Sequence, residues 1–136
     1  MTSNSVIYFQ SQSNHQDQLV ARAELFDAEA RDAARALVKF EPTQLRRFYS
    51  VVSALRNEAK GDPDFPDDQI KARLALLKAH AHYSWARDSK KIPRYFLQFI
   101  DMHVNAVRTR NDFLLGFAPH FEAVVAYHRY EREMNR

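Results

Sequence analysis

Cysteine is absent from this chain of 136 residues, and glycine occurs only twice. The first absence excludes disulfides, Cys-ligated zinc and thiol chemistry, and it suits a reducing compartment. The second argues against a β-rich fold, because sheets need frequent turns and turns consume Gly, Asn and Pro. The chain also lacks a Gly-rich phosphate loop, a nucleophile elbow, a His-Asp dipeptide and any Glu-x-x-His, the signature of carboxylate-bridged di-iron bundles. No catalytic constellation is left standing. The N-terminus, MTSNSVIYFQSQSNHQDQ, has no basic n-region and only four apolar residues in succession, Val6 to Phe9. It therefore reads as neither a signal peptide nor a membrane span, and a cytoplasmic location is expected.

What the chain does have is helical periodicity. At about 100° per residue, Phe113, Phe117, Phe121, Val124 and His128 fall in one strip roughly 80° wide, while Glu122, Ala126 and Arg129 face away. Three of those seam positions are phenylalanines, so the strip needs other helices laid against it. Four further segments supply them. A first helix is predicted over 18–39 with the stripe Phe26, Ala30, Ala33, Leu37 and Phe40, and with Asp27 and Arg31 paired on its outer side. Thr43 is expected to cap a second helix over 43–60, whose core face is Leu45, Phe48, Tyr49, Val52, Leu55 and Ala59. After the acidic loop GDPDFPDD, Asp67 is expected to cap a third helix with apolar residues on two sides, Ile70, Leu74, Leu77, Ala81 and Trp85 on one and Leu76 and Tyr83 on the other. Two apolar sides predict that this helix is central. Pro93 suits the first position of a fourth helix, with the seam Ile92, Phe96, Phe99, Ile100, His103 and Val107 and with Arg108 and Arg110 closing its last turn. Asn111 is expected to cap the last helix, which Pro119 either kinks or forces to restart near Ala118. The fold class is all-α, a bundle of about five helices over 19–136, preceded by a mobile polar tail over 1–18. The apolar Val6 to Phe9 within that tail either hook a neighbouring subunit or fold back on the domain.

Net charge is +3, but it is unevenly spread. Lys and Arg against Asp and Glu number 4 and 6 over 1–42, 13 and 7 over 43–110, and 3 and 4 over 111–136. The middle is thus +6 between slightly acidic ends, a pattern that points to a polyanionic partner on the central elements, or else to an uneven solvated surface. On the second helix the outer face holds Arg46, Arg47, Ser50, Ser53, Asn57 and Lys60, donors that suit phosphate oxygens. Arg87, Lys90 and Lys91 cluster after the third helix, and Lys78 lies on its polar strip.

Six histidines raise the question of a metal, and their spacing answers against it. His80 and His82 are two apart, hence about 200° apart around a helix, and cannot hold one ion together. His103 and His128 lie on apolar seams and could meet in the core, where imidazoles hydrogen-bonded to a carbonyl or hydroxyl are the expected arrangement. No metal or cofactor is expected. Tyr83 and Trp85, beside Arg87 and the two lysines, are packing residues or a stacking clamp for nucleic acid.

Three blocks, TQLRRFY at 43–49, LLKAHAHYSWAR at 76–87 and FEAVVAYHRY at 121–130, resemble in order and spacing the small all-helical subunit of the type III-A CRISPR effector (Csm) complex. The resemblance implies a non-catalytic subunit that stacks in several copies beside the guide-bound backbone subunits and helps hold target RNA, paired with its guide. It implies cleavage by other subunits, and partners that are RNA, the other subunits and copies of itself. Arg46, Arg47 and Arg87 match the family's basic positions, and charge and placement add Lys78, Lys90 and Lys91 to the expected RNA-binding set. Trp85 departs from the family pattern, where a small residue is expected, and the N-terminal tail has no counterpart. Two other classes remain consistent with the residues: a helical adaptor that binds only protein, and a His-ligated metal hydrolase.

Overall fold

A computed structural model describes residues 6–10 and 19–136. Its helices are α1 (Ala23–Phe26), α2 (Ala28–Ala36), α3 (Pro42–Lys60), α4 (Asp67–Arg87), α5 (Arg94–Ala106) and α6 (Ala118–Met134), with a π-helical turn at Asp112–Phe117 leading into α6. The expected all-α bundle is what forms, with five helices longer than a single turn.

The phenylalanine seam that runs from the π turn into α6 is its centre. Phe113, Phe117, Phe121 and Val124 are completely buried, and rings from α3 and α5 converge on Phe117 and Phe121. Phe99 and Phe121 meet at 5.4 Å between centroids, Phe117 and Phe121 at 5.7 Å, and Phe96 takes Phe40 at 4.7 Å and Phe48 at 5.1 Å. Such offset and edge-on pairs add to the area that each ring removes from water. The whole predicted α5 seam, Ile92 to Val107, is buried as well.

Several expectations need correction. The third helix, α4, is not central: Ile70, Leu74, Leu77 and Ala81 are buried against α3 and α5, but Leu76 and Tyr83 are 55% and 64% exposed. Its second apolar side faces solvent, and α6 occupies the middle. The predicted first helix is shorter than 18–39 and broken at Asp27, where φ −123° and ψ −103° are non-helical. The late start follows from pairing with residues 6–10. Gln10 donates to the Val20 carbonyl at 2.8 Å and the Arg22 amide to the Tyr8 carbonyl at 3.0 Å, which holds the segment before Ala23 extended. Arg22 then grips the Ile7 carbonyl and both oxygens of Glu29. Asp27 and Arg31 do not pair. Arg31 reaches Glu131 at 3.2 Å, and Asp27 accepts from the Tyr127 hydroxyl.

Of the two readings of Val6 to Phe9, folding back is the one observed. Tyr8 is 4% exposed, its hydroxyl lies 2.9 Å from His103 Nδ1, and its ring rests on Gly116, where a Cβ would stand 2.6 Å from Tyr8 Cγ. The expectation of a mobile tail otherwise falls on residues 1–5 and 11–18, which lie outside the described residues.

Helix ends differ in detail. Glu41, not Thr43, caps α3 by accepting from the Gln44 amide at 3.0 Å, with Pro42 in the first helical position. Asp67 sits inside the first turn of α4 and accepts instead from the Arg110 amide at 2.8 Å. Pro93 precedes α5 by one residue. Helix α5 ends at Ala106, before Arg108 and Arg110, and the Arg110 guanidinium caps α3 through the carbonyls of Ala59 and Asp62. Asp112, rather than Asn111, receives the amides of Arg108 and Thr109. Of the two alternatives at Pro119, restart is the outcome. Proline offers no amide to the Leu115 carbonyl and crowds it, and the wider π turn ahead of it, closed by Ala118 N–H on the Phe113 carbonyl, relieves that crowding.

Candidate nucleic-acid interface

Two hydrogen bonds from Arg73 to Glu58, 3.3 and 2.7 Å, set α3 and α4 antiparallel. The first turn of α3 is therefore beside the last turn of α4, and the Glu41 amide donates to the Lys91 carbonyl across that junction at 3.3 Å. Five of the six expected cations, Arg46, Arg47, Arg87, Lys90 and Lys91, come from these two helix ends and the loop between α4 and α5. Lys78 does not join them. It lies nine residues before Arg87, about 13 Å along the axis at ~1.5 Å per residue, and stands 4.0 Å from Asp101.

The fold adds cations that the sequence reading missed. The C-terminal half of α6 runs past the start of α3, so Arg129 and Arg132 share a groove with Lys39 and Arg46. At its base Arg132 donates to the Val38 and Phe40 carbonyls at 2.8 and 3.2 Å, and His128 Nε2 donates to the Phe40 carbonyl at 3.2 Å. Burial pushes the His128 pKa down, and the Arg132 charge lowers it further, so this imidazole is neutral. The count for 111–136 hid these arginines because its acids turn elsewhere: Glu131 to Arg31 and Arg35, and Glu122 to Arg56. A sum along the chain cannot show which charges the fold separates.

Partnering differs across the surface, and Lys60, Lys71 and Arg108 away from this end also have no side-chain ion pair or hydrogen bond among the described residues. Arg22, Arg56 and Arg73 each hold a carboxylate at 2.7 to 3.0 Å. Among the described residues, the side chains of Lys39, Arg46, Arg47, Lys90 and Arg129 have no ion pair or hydrogen bond. Lys91 has Asp88 at 3.8 Å. Arg87 lies over the exposed Tyr83 ring at 5.7 Å, and Arg94 covers half-buried Trp85 at 5.3 Å.

His103, His120 and His128 occupy core positions, whereas His80 and His82 are exposed on α4. His103 and His128 do not meet, because His103 pairs with Tyr8 and stacks near His120 at 4.8 Å, whereas His128 belongs to the other end. His120 Nδ1 donates to the Leu25 carbonyl. Burial holds His103 well below the ordinary imidazole range and lowers His120 too. Among the described residues no three His, Asp or Glu side chains converge on a point that would hold a metal, and no helix is long and apolar enough to cross a membrane.

Fold and site together describe a small all-helical protein with an aromatic core and one cationic end. The family model of Csm2 Type III-A matches residues 20–134, and the chain belongs to that family, the small subunit of the type III-A CRISPR complex. Other subunits of that complex are its partners. No curated protein and no solved structure matches the chain.

Proposed function

We propose that this subunit is non-catalytic, works in the cytoplasm, stacks in several copies within the effector complex, and holds target RNA by its sugar-phosphate backbone through the cationic end. The observation that carries the reading is a cluster of unpaired cations: Arg46, Arg47 and Lys90 gather with Arg87 and Lys91 where two helix ends meet, while Arg22, Arg56 and Arg73 each hold a carboxylate within the chain. Donors of this kind position a strand without reading its sequence. Stacking is supported by the opposite end. Asp62, Asp64, Asp67 and Asp68 lie beyond the C-terminus of α3, about 27 Å from its start at ~1.5 Å per residue and among Lys60, Lys71, Arg108 and Arg110, so the acidic loop of one copy is placed to meet the basic end of the next. One copy neutralises few phosphates, and several copies in a row act at high effective concentration.

The test is target-RNA binding by the reconstituted complex over a salt series, comparing the parent with Arg46→Glu, Arg47→Glu and Arg87→Glu combined, once the variant is shown to fold and to assemble. Weaker binding and a shallower salt slope for every target sequence are expected. Unchanged binding would assign this end to a protein contact, and a loss confined to certain sequences would mean that these residues read bases.

A further inference from the structure

The groove between the start of α3 and the end of α6 has a composition different from the cationic strip beside it. Its volume is about 1070 Å³, and it opens to solvent. Its floor is apolar, made by Val38, Pro42, Leu45, Val125 and Ala126, and its rim carries Lys39, Arg46, Arg129, Arg132 and Arg136 against a single acid, Glu133. Arg136 is held by Glu133 at 3.3 Å and Arg132 by carbonyls, but Lys39, Arg46 and Arg129 have no ion pair or hydrogen bond among the described residues. Arg46 also belongs to the strip, so groove and strip are continuous.

We propose that this groove is a binding site for single-stranded RNA, with phosphates on Lys39, Arg46 and Arg129 and with the ribose or base of an unstacked nucleotide laid on the apolar floor. The proposal rests on the RNA-binding reading above and extends it to a second face and to one state of the nucleic acid. An A-form duplex turns its phosphates and 2′-hydroxyls outward and keeps its bases stacked, which would leave an apolar floor between cations uncovered. A single strand has rotatable nucleotides and covers both parts at once. An acidic peptide has the same gross chemistry, but continuity with the strip through Arg46 favours the strand that the strip would already hold.

His128 is the internal reporter. Its imidazole lies at the base of the groove, and Arg132 and Arg46 both contribute to the depression of its pKa. An anion between those arginines offsets their field and raises it.

The experiment uses the full-length chain at low salt with two probes, an unstructured oligoribonucleotide and a blunt RNA duplex containing the same strand. The parent is compared with a groove variant, Lys39→Glu with Arg129→Glu, and a strip variant, Arg47→Glu with Arg87→Glu; all four side chains are exposed, so folding should survive. The parent should bind the single strand severalfold tighter than the duplex. The groove variant should lose that preference, with a salt slope shallower by about 0.7 for each cation removed. Saturation with the single strand should raise the His128 pKa seen by NMR. The groove assignment is overturned if the groove variant binds like the parent while the strip variant weakens, a result that leaves the RNA-binding reading intact. If neither variant weakens, both readings fail. Displacement of His128 by an acidic amphipathic peptide but not by RNA would give the groove to a protein partner.

Discussion

Tyr8 shows how much one side chain carries in this bundle. Its ring fills the space that glycine leaves at position 116 and its hydroxyl serves a buried imidazole, so it fastens residues 6–10 to α5 and to the π turn together. Tyr8→Phe should keep the ring and leave His103 Nδ1 unpaired, at a cost of about 1–3 kcal/mol in urea denaturation. Gly116→Ala should cost a similar amount, about 1–3 kcal/mol, because the new Cβ meets the root of the Tyr8 ring rather than a flexible side-chain tip. Parental stability in both variants would mean that Tyr8 does not occupy this place. Acid should also find the buried imidazoles. Burial lowers the folded-state pKa of His103, His120 and His128 below the ordinary value near 6.5. The unfolded chain therefore binds more protons than the folded one below pH ~6.5, and stability should fall from there towards the depressed folded values. A stability profile flat between pH ~7 and ~5 would contradict the assignment of these rings as neutral core groups.

At the scale of the helices, α4 is the most informative element. Only one of its two apolar rows is covered, so Leu77→Ala should cost about 2–5 kcal/mol, whereas Leu76→Gln and Tyr83→Gln should each stay within about 0.5 kcal/mol. Comparable losses at both rows in chemical denaturation would restore α4 to the middle of the bundle. Periodicity made the existence of every long helix legible, and the seams of α5 and α6 could be read residue by residue because large apolar groups at 3.6-residue spacing have few other uses. What periodicity could not show was which apolar row finds a partner, since Leu76 and Leu77 are the same residue type in different neighbourhoods. It also could not foresee that residues 6–10 would pair with the chain before Ala23 and displace the first predicted turns of helix. The candidate site was legible in part for the same reason. Cations close in sequence, such as Arg46 with Arg47 and Lys90 with Lys91, were visible as a cluster. Lys39 with Arg129, which only the antiparallel passage of α6 past α3 brings to one groove, were not.

For the molecule as a whole, the consequence is polarity: a cluster of unpaired cations stands at one end and four aspartates at the other, on a scaffold that commits His103, His120 and His128 to the core. In the type III-A complex this polarity would let one small subunit meet both the next copy and the strand that runs past them, as proposed above. Binding curves alone do not show where along the chain the strand lies. The most direct measurement is photo-crosslinking of target RNA within the assembled complex, followed by mapping of the adducts to peptides of this chain. Adducts are expected around residues 46–47 and 87–94, and none around 62–68. Adducts concentrated on the acidic loop, or crosslinks to the other subunits with none to this chain, would contradict the account.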